Sequence, residues 1–302
     1  MTKTFASIFS GGGGSDLGLR AAGLEHAWGL EYDPKIADVY RANIGHCYTM
    51  DILDADPNKF DKVSWLHASP VCKSYSTANA NKRERQLDLD CAKKTADFIT
   101  ALKPDYFSLE NVEAYRKAKS FHLICDALAG ADRPEKDSYW FNWQVLNAAD
   151  FSVPQSRRRL ILLATRVGFL PSLPAPTRHI GWYEAIKDLV PDFEEFYLAD
   201  WMIKKYKDCK PTYIISATEM RCDSIRYPHE PIMTFKAQDK PHRILLDSGE
   251  VVRTNTIARA RLHGFPKTYK WSGNKSLDST IIGNSVCPPM MESLAKNILG
   301  VL

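Results

Sequence analysis

Among 302 residues, no run approaches the roughly 18 consecutive apolar positions that would span a bilayer. The opening MTKTFASIF has no extended apolar stretch of the kind a secretory leader carries. No C-x-x-C pair occurs: the seven cysteines, at 47, 72, 91, 125, 209, 222 and 287, are odd in number and widely scattered, which argues against both a zinc centre and a disulfide framework. Internal repeats and low-complexity tracts are missing too, which excludes solenoids and leaves little room for a disordered chain. Charge of one sign is scarce, since 40 basic and 36 acidic residues leave a net charge of +4, so any anionic partner must be met by a local patch. The expectation is a soluble, cytoplasmic globular protein with reduced thiols and no metal.

What is present is enough to build a core. With 44% hydrophobic and 25% charged residues, the chain can form one large domain, or one plus a smaller one. TFASIF, AWGLEY, SWLHAS and YFSLEN read as buried strands, and the segments around 34–43 and 88–102 as helices between them. FNWQVLNA and RLILLATR supply two further strands. This alternation predicts an α/β fold with a doubly wound, mostly parallel sheet. From PSLPAPTRHIGW to about Trp271 the texture becomes rich in proline, aromatic and basic residues, with weak periodicity. The expected organisation is a catalytic and cofactor-binding domain over 1–175, a small target-recognition domain over 176–271, and a C-terminal segment, 272–302, packing back on the first domain.

Two stretches carry chemistry. In SIFSGGGGSDLGLRAAG, residues 7–23, a strand runs into four glycines and then a helix. Gly11 to Gly14 can take positive φ and let backbone approach a ligand, while the helix N-terminus offers free N–H groups. No Gly-Lys-Ser/Thr follows, so this is not a Walker loop. About twenty residues on, Glu31 of LEYD stands where an acid can accept from ribose hydroxyls, and the pair favours an adenosine-containing cofactor. The alternative is an ordinary tight strand-to-helix turn. The second stretch is HASPVCKSYS, residues 67–76. A free cysteine commonly behaves as a small buried hydrophobe, but Pro70, Lys73, Ser74, Tyr75 and Ser76 suit a loop, and Lys73, Lys82, Arg83 and Arg85 would favour the thiolate of Cys72.

FSGGGGSDLG, LEYD, SPVCKSYS, LENV, VPQSRRR, ARLHGFP and IGNSV occur in the order and approximate spacing of the cytosine-5 DNA methyltransferase family. The chain resembles that family over nearly its whole length. The resemblance implies the S-adenosylmethionine-dependent methyltransferase fold and transfer of a methyl group to carbon 5 of cytosine in DNA. Carbon 5 is a poor nucleophile until a thiolate adds to carbon 6, and Cys72 matches that nucleophile. Glu110 of LENV matches the acid that stabilises charge at ring nitrogen 3; an isolated strand-end acid would otherwise cap a loop. Asn111 and Val112 are expected to hold the loop in shape. Gln155, Arg157 and Arg159 match a Q-x-R-x-R pattern on one face of a strand, and their side chains would orient the base or neutralise phosphate. Arg158 points the other way. The resemblance also carries Phe9, Gly11 and Gly13 to the cofactor turn, Glu31 to the ribose, Asp51 to the adenine amino group, and Asn284 to closure of the pocket.

Four positions depart from the family pattern: Val71 precedes the cysteine where proline is usual, Ser7 replaces an aspartate at the start of the glycine motif, and Ile257-Ala258 stand where Arg-Glu is common. None removes a reacting group; they could lower the rate or mark a divergent branch. Recognition of a short DNA sequence is expected between about Ile180 and Pro231. There Lys204, Lys205, Lys207, Lys210, Arg221 and Arg226 alternate with Tyr206, Tyr213 and Tyr227, a mixture suited to phosphate contacts and groove readout. A solvated loop is the plain alternative. The expected partner is double-stranded DNA, met by a monomer that a restriction endonuclease could accompany. Two rivals stay open: a tRNA cytosine-5 methyltransferase, and a non-catalytic nucleic-acid-binding regulator. A dinucleotide-binding dehydrogenase would explain the glycines but leave Cys72 and PQSRRR idle.

Overall fold

The computed structural model describes residues 3–71, 84–130, 138–197, 213–215, 225–237 and 241–301. The chain divides into two units, one made of residues 1–147, 158–175 and 288–302, the other of 148–157 and 176–287.

The first unit is built on a seven-stranded sheet. Its strands are β1 (Thr4–Ile8), β2 (Glu25–Glu31), β3 (Cys47–Thr49), β4 (Trp65–Ala68), β5 (Tyr106–Asn111), β6 (Trp140–Asn147) and, past a two-residue strand β7 (Gln155–Ser156) that belongs to the second unit, β8 (Arg158–Thr165). The order is β3-β2-β1-β4-β5-β8-β6. The first five are mutually parallel, while β8 runs antiparallel to both β5 and β6. This is the doubly wound, mostly parallel α/β sheet that the alternation predicts. Sequence periodicity did not reveal the three-residue β3.

β4 and β5 are buried along their whole length, which is why WLHA and YFSLEN read as unbroken runs rather than alternating ones. Helices α1 (Gly14–Ala21), α2 (Pro34–Asn43), α3 (Gln86–Leu102) and α4 (Lys119–Ala129) connect the strands. α2 begins where Pro34 fixes the first turn and the Asp33 carboxylate accepts from the N–H groups of Lys35 and Ile36. The main core joins Ile8, Trp28, Leu66, Phe98, Phe107, Phe121 and Leu162. Since β1 to β5 point the same way, their carboxyl ends share one edge. The strand order reverses between β1 and β4, and open α/β sheets bind ligands at such a reversal.

The second unit contains short strands β9 (Glu194–Glu195), β10 (Tyr213–Ile215), β11 (Ile225–Arg226), β12 (Ile232–Met233), β13 (Arg243–Leu245) and β14 (Val251–Arg253), with helices α5 (Trp182–Ile186), α6 (Thr256–His263) and α7 (Lys275–Asn284). Five of the strands form a sheet in the order β11-β10-β13-β14-β9, and β12 pairs with β7 in parallel. The last helix, α8 (Pro288–Leu299), belongs to the first unit, where it packs on α1. No helix among the described residues is long and apolar enough to cross a membrane.

Candidate active site

The carboxyl edge of the first unit gathers most of the sequence-predicted cofactor residues. β1 ends at Ile8, and the next residue, Phe9, adopts φ 56°, a left-handed conformation rare for a bulky side chain. Gly11 and Gly13 follow with φ 55° and 79°. At Gly13 a Cβ would lie 2.5 Å from Ile44 Cγ1, so the turn admits no side chain there. Ser10 staples this turn to β2: its N–H donates to Leu30 O (3.0 Å) and its hydroxyl accepts from Leu30 N (2.9 Å).

Glu31, the last residue of β2, faces the same turn. Gly11 N–H donates to its Oε2 at 2.8 Å and Asp33 N–H to its Oε1 at 3.0 Å. Desolvation raises its pKa above the usual carboxylate value, while these backbone donors pull it back down. Asp51 follows β3 and accepts from Leu53 N–H at 3.0 Å, capping a short 3₁₀ turn. Phe9, Gly11, Gly13, Glu31 and Asp51 thus sit at the ends of three adjacent parallel strands. Tyr32, not singled out by the sequence, stands 70% exposed beside Glu31.

Two strands along, Glu110 is buried near the end of β5 and pairs with Arg159 on β8, Oε1 to Nε 3.0 Å. Their strands are direct neighbours, with Glu110 opposite Ile161. A second bond of Arg159, Nη1 to Arg158 O at 2.7 Å, fixes the guanidinium. Asn111 donates from Nδ2 to Pro70 O (3.0 Å) and accepts from Val112 N–H (2.8 Å), so β5 is tied to the segment that follows β4. Below it, His67 bonds Ser69 through Nε2 (2.9 Å) and Ser108 through Nδ1 (2.8 Å), and burial lowers its pKa to about 4. Val71 packs against the main core.

Cys72 itself lies outside the described residues, as do Lys73, Lys82 and Arg83. The described cysteines lack a nucleophile's setting: burial pushes the thiols of Cys47 and Cys125 up to about 12 and that of Cys91 to about 11, and Cys287 is fully buried.

Gln155 and Arg157 belong to the second unit and are buried there. The single-strand alternation expected for Gln155, Arg157 and Arg159 is interrupted, because β7 ends at Ser156 and β8 starts at Arg158. Arg157 donates to the carbonyls of Phe235 (3.1 Å), Gly283 (2.9 Å) and Ser285 (3.0 Å), bracketing the IGNSV segment. Gln155 accepts from Phe235 N–H at 3.4 Å and lies 3.3 Å from His263 Nδ1. Asn284 is exposed at the end of α7. Arg158 is exposed and pairs with Glu113 at 3.2 Å. Arg226 lies on β11, with Nη1 donating to Ile225 O at 2.8 Å. Arg221, Lys204, Lys205, Tyr206, Lys207 and Lys210 lie outside the described residues, as does the side chain of Tyr213. Among the described residues no cluster of histidine, cysteine and acids could hold a metal ion.

The C-5 cytosine-specific DNA methylase family profile matches residues 3–300. The chain belongs to that family. It is an enzyme family, and the curated relatives are type II methyltransferases of restriction-modification. M.HaeII of Haemophilus aegyptius is 28% identical over 98% of this chain and 92% of its own length. M.XorII of Xanthomonas oryzae is 29% identical over 66% of this chain, which spans half the length of that protein. Among solved structures, the S. pombe Dnmt2 methyltransferase superposes with a TM-score of 0.68 over 99% of this chain and 98% of its own, at 16% identity, a likeness of fold.

Proposed function

We propose that the protein transfers a methyl group from S-adenosylmethionine to carbon 5 of cytosine within a short DNA sequence, after flipping the base out of the duplex. The observation that carries this reading is Glu110, buried at the carboxyl edge and held at 3.0 Å by Arg159, next to Asn111, which anchors Pro70 two residues before Cys72. The glycine turn, closed to side chains at Gly13, and the Glu31 carboxylate held by two backbone N–H groups fit an adenosine cofactor, with Phe9, Gly11, Gly13, Glu31 and Asp51 as its contacts and Asn284 closing the pocket. When bound, that cofactor supplies an electrophilic methyl group on a sulfonium.

The chain's own residues do the rest. The Cys72 thiolate adds to carbon 6, which makes carbon 5 electron-rich. Charge that builds up on the ring is met at nitrogen 3 by Glu110, whose orientation Arg159 maintains. Once carbon 5 has taken the methyl group and left a thioether behind, its proton would pass to a base and the electron pair released would expel the Cys72 thiolate by β-elimination. Arg157 and Gln155 are positioning residues, because their side chains are engaged by backbone of the second unit. Base flipping costs a few kcal/mol, offset by contacts in the pocket and along the strand. Arg221 and Arg226 are the proposed contacts to target DNA. The protein acts in the cytoplasm as a monomer on duplex DNA, and likeness to type II methyltransferases supports a restriction-modification role.

The experiment is a trap. Fluorine at carbon 5 blocks the final elimination once the methyl group has been transferred, so duplex DNA bearing 5-fluorocytosine at the target, with S-adenosylmethionine present, should yield a protein adduct that survives denaturing electrophoresis. Cys72→Ser should abolish it, since an alcohol is far less ionised than a thiol of pKa about 8.5. An adduct persisting in that variant would identify another nucleophile. Labelled methyl transfer compared between duplex DNA and tRNA tests the substrate; transfer to tRNA alone would overturn the DNA assignment.

A further inference from the structure

Directly beneath the glycine turn lies a buried carboxylate that none of the steps above uses. Asp16 stands in the first turn of α1 and is fully buried. Tyr40 Oη donates to its Oδ1 at 2.6 Å and Ser7 Oγ to the same oxygen at 2.7 Å, while Ser15 Oγ donates to Oδ2 at 2.9 Å. Both oxygens act as acceptors. All three donors are neutral, and among the described residues no lysine, arginine or histidine lies within ion-pair distance of it.

A buried charge without a countercharge is costly. Desolvation is the largest influence on Tyr40, Cys47 and His67; beside it, the Asp16 charge further opposes ionisation of Tyr40 on α2 and Cys47 on β3, and partly offsets the lowering at His67 on β4. The carboxylate is coupled to the turn itself, because Ser7 Oγ also lies 2.7 Å from Ser10 Oγ. Ser7 thus stands on the strand as a hydroxyl, with the acid of Asp16 meeting it from the helix across their 2.7 Å bond.

We propose that Asp16 is a specificity-determining residue of the cofactor cradle, a buried countercharge that raises affinity for a sulfonium cofactor relative to the neutral thioether left after methyl transfer. This rests on the S-adenosylmethionine reading above. The two ligands share adenosine, carboxylate and ammonium groups and differ by a methyl and one positive charge at sulfur. A fixed negative charge in a low-dielectric site acts on that difference over a longer range than it would in water. The spent product loses this attraction, which assists its release.

Calorimetry without DNA tests the inference, with S-adenosylmethionine and S-adenosylhomocysteine titrated into wild type, Asp16→Asn and the double variant Ser7→Asp/Asp16→Asn. The asparagine amide fits the same site, because the surrounding hydroxyls can turn to accept. Asp16→Asn should weaken the sulfonium ligand about tenfold and the thioether less than about threefold. The double variant, with the acid returned across the same hydrogen bond, should restore the wild-type ratio of affinities. Equal losses for both ligands would assign Asp16 to the fold or to the shared ammonium group and overturn the proposal, as would an unchanged ratio. Should Asp16→Asn not fold, the double variant is read against wild type, and a changed ratio overturns the proposal. Wild-type protein that binds neither ligand would instead sink the cofactor reading on which the proposal rests.

Discussion

Glu31 shows how one side chain meets two demands. Its oxygens are already held by Gly11 and Asp33 N–H groups, so the carboxylate reaches the edge with its orientation set before any ligand arrives. Desolvation, the larger influence, raises its pKa, a cost borne by the free protein. Glu31→Ala should therefore weaken S-adenosylmethionine binding by roughly 1.5 to 3 kcal/mol, the range for hydrogen bonds to a charged group. Calorimetry reads this directly, and an unchanged dissociation constant would mean that Glu31 only caps the turn. Phe9 and Gly13 make a related point at the same turn: one is strained at φ 56°, and the other is closed to any side chain by Ile44.

At the scale of elements, two junctions decide whether the site is assembled. The first is α1 against α8. Gly18 lies inside α1, where alanine would ordinarily stabilise a helix by about 1 kcal/mol. A Cβ there would lie 2.6 Å from Pro288 O and 2.7 Å from Met291 Cβ. Gly18→Ala should thus lower stability by about 1 to 3 kcal/mol in urea denaturation, through overpacking against the last helix. A gain in stability would show that α8 yields freely. The second junction is β5 with the segment after β4. Asn111→Ala removes the bond to Pro70 O, so kcat should fall at least about tenfold while the KM for the cofactor stays near its wild-type value. A loss confined to cofactor binding would exclude a role in holding the Cys72 segment.

For the molecule as a whole, buried histidines make stability depend on pH. Burial lowers the pKa of His67 from the usual 6.5 to about 4 in the first unit, and that of His242 to about 3 in the second. The unfolded chain takes up these protons near pH 6.5, whereas the folded chain stays neutral until the lower values are reached. Stability is complete above about pH 6.5 and falls as pH drops, with His67 alone contributing roughly 3 kcal/mol by about pH 4. Thermal unfolding from neutral to acid pH should show this slope, and His67→Gln should flatten it. A variant with the wild-type slope would clear His67 of that role.

The sheet could be read in advance because buried parallel strands leave unbroken apolar runs, and the glycine turn because four successive glycines have few other uses. β3 escaped notice because three residues show no period. That Phe9, Gly11, Gly13 and Glu31 are neighbours follows locally, because they lie within a single β-turn-α-β passage where chain order already implies it.

By itself, the sequence determined the α/β alternation, the chemistry-bearing motifs and their attachment to strand ends, because hydrophobic period and turn chemistry act over a few residues. Only the tertiary structure decided which groups meet. That Arg159 holds Glu110 follows from β8 lying antiparallel beside β5, and that three carbonyls take up Arg157 follows from the path of Phe235 and Gly283 to Ser285. That Ser7, Asp16 and Tyr40 share one buried hydrogen-bond cluster depends on α1 being laid against β1 and α2 against β2 and β3. Such pairings are selected by strand order and packing across tens of residues, and no local pattern encodes them.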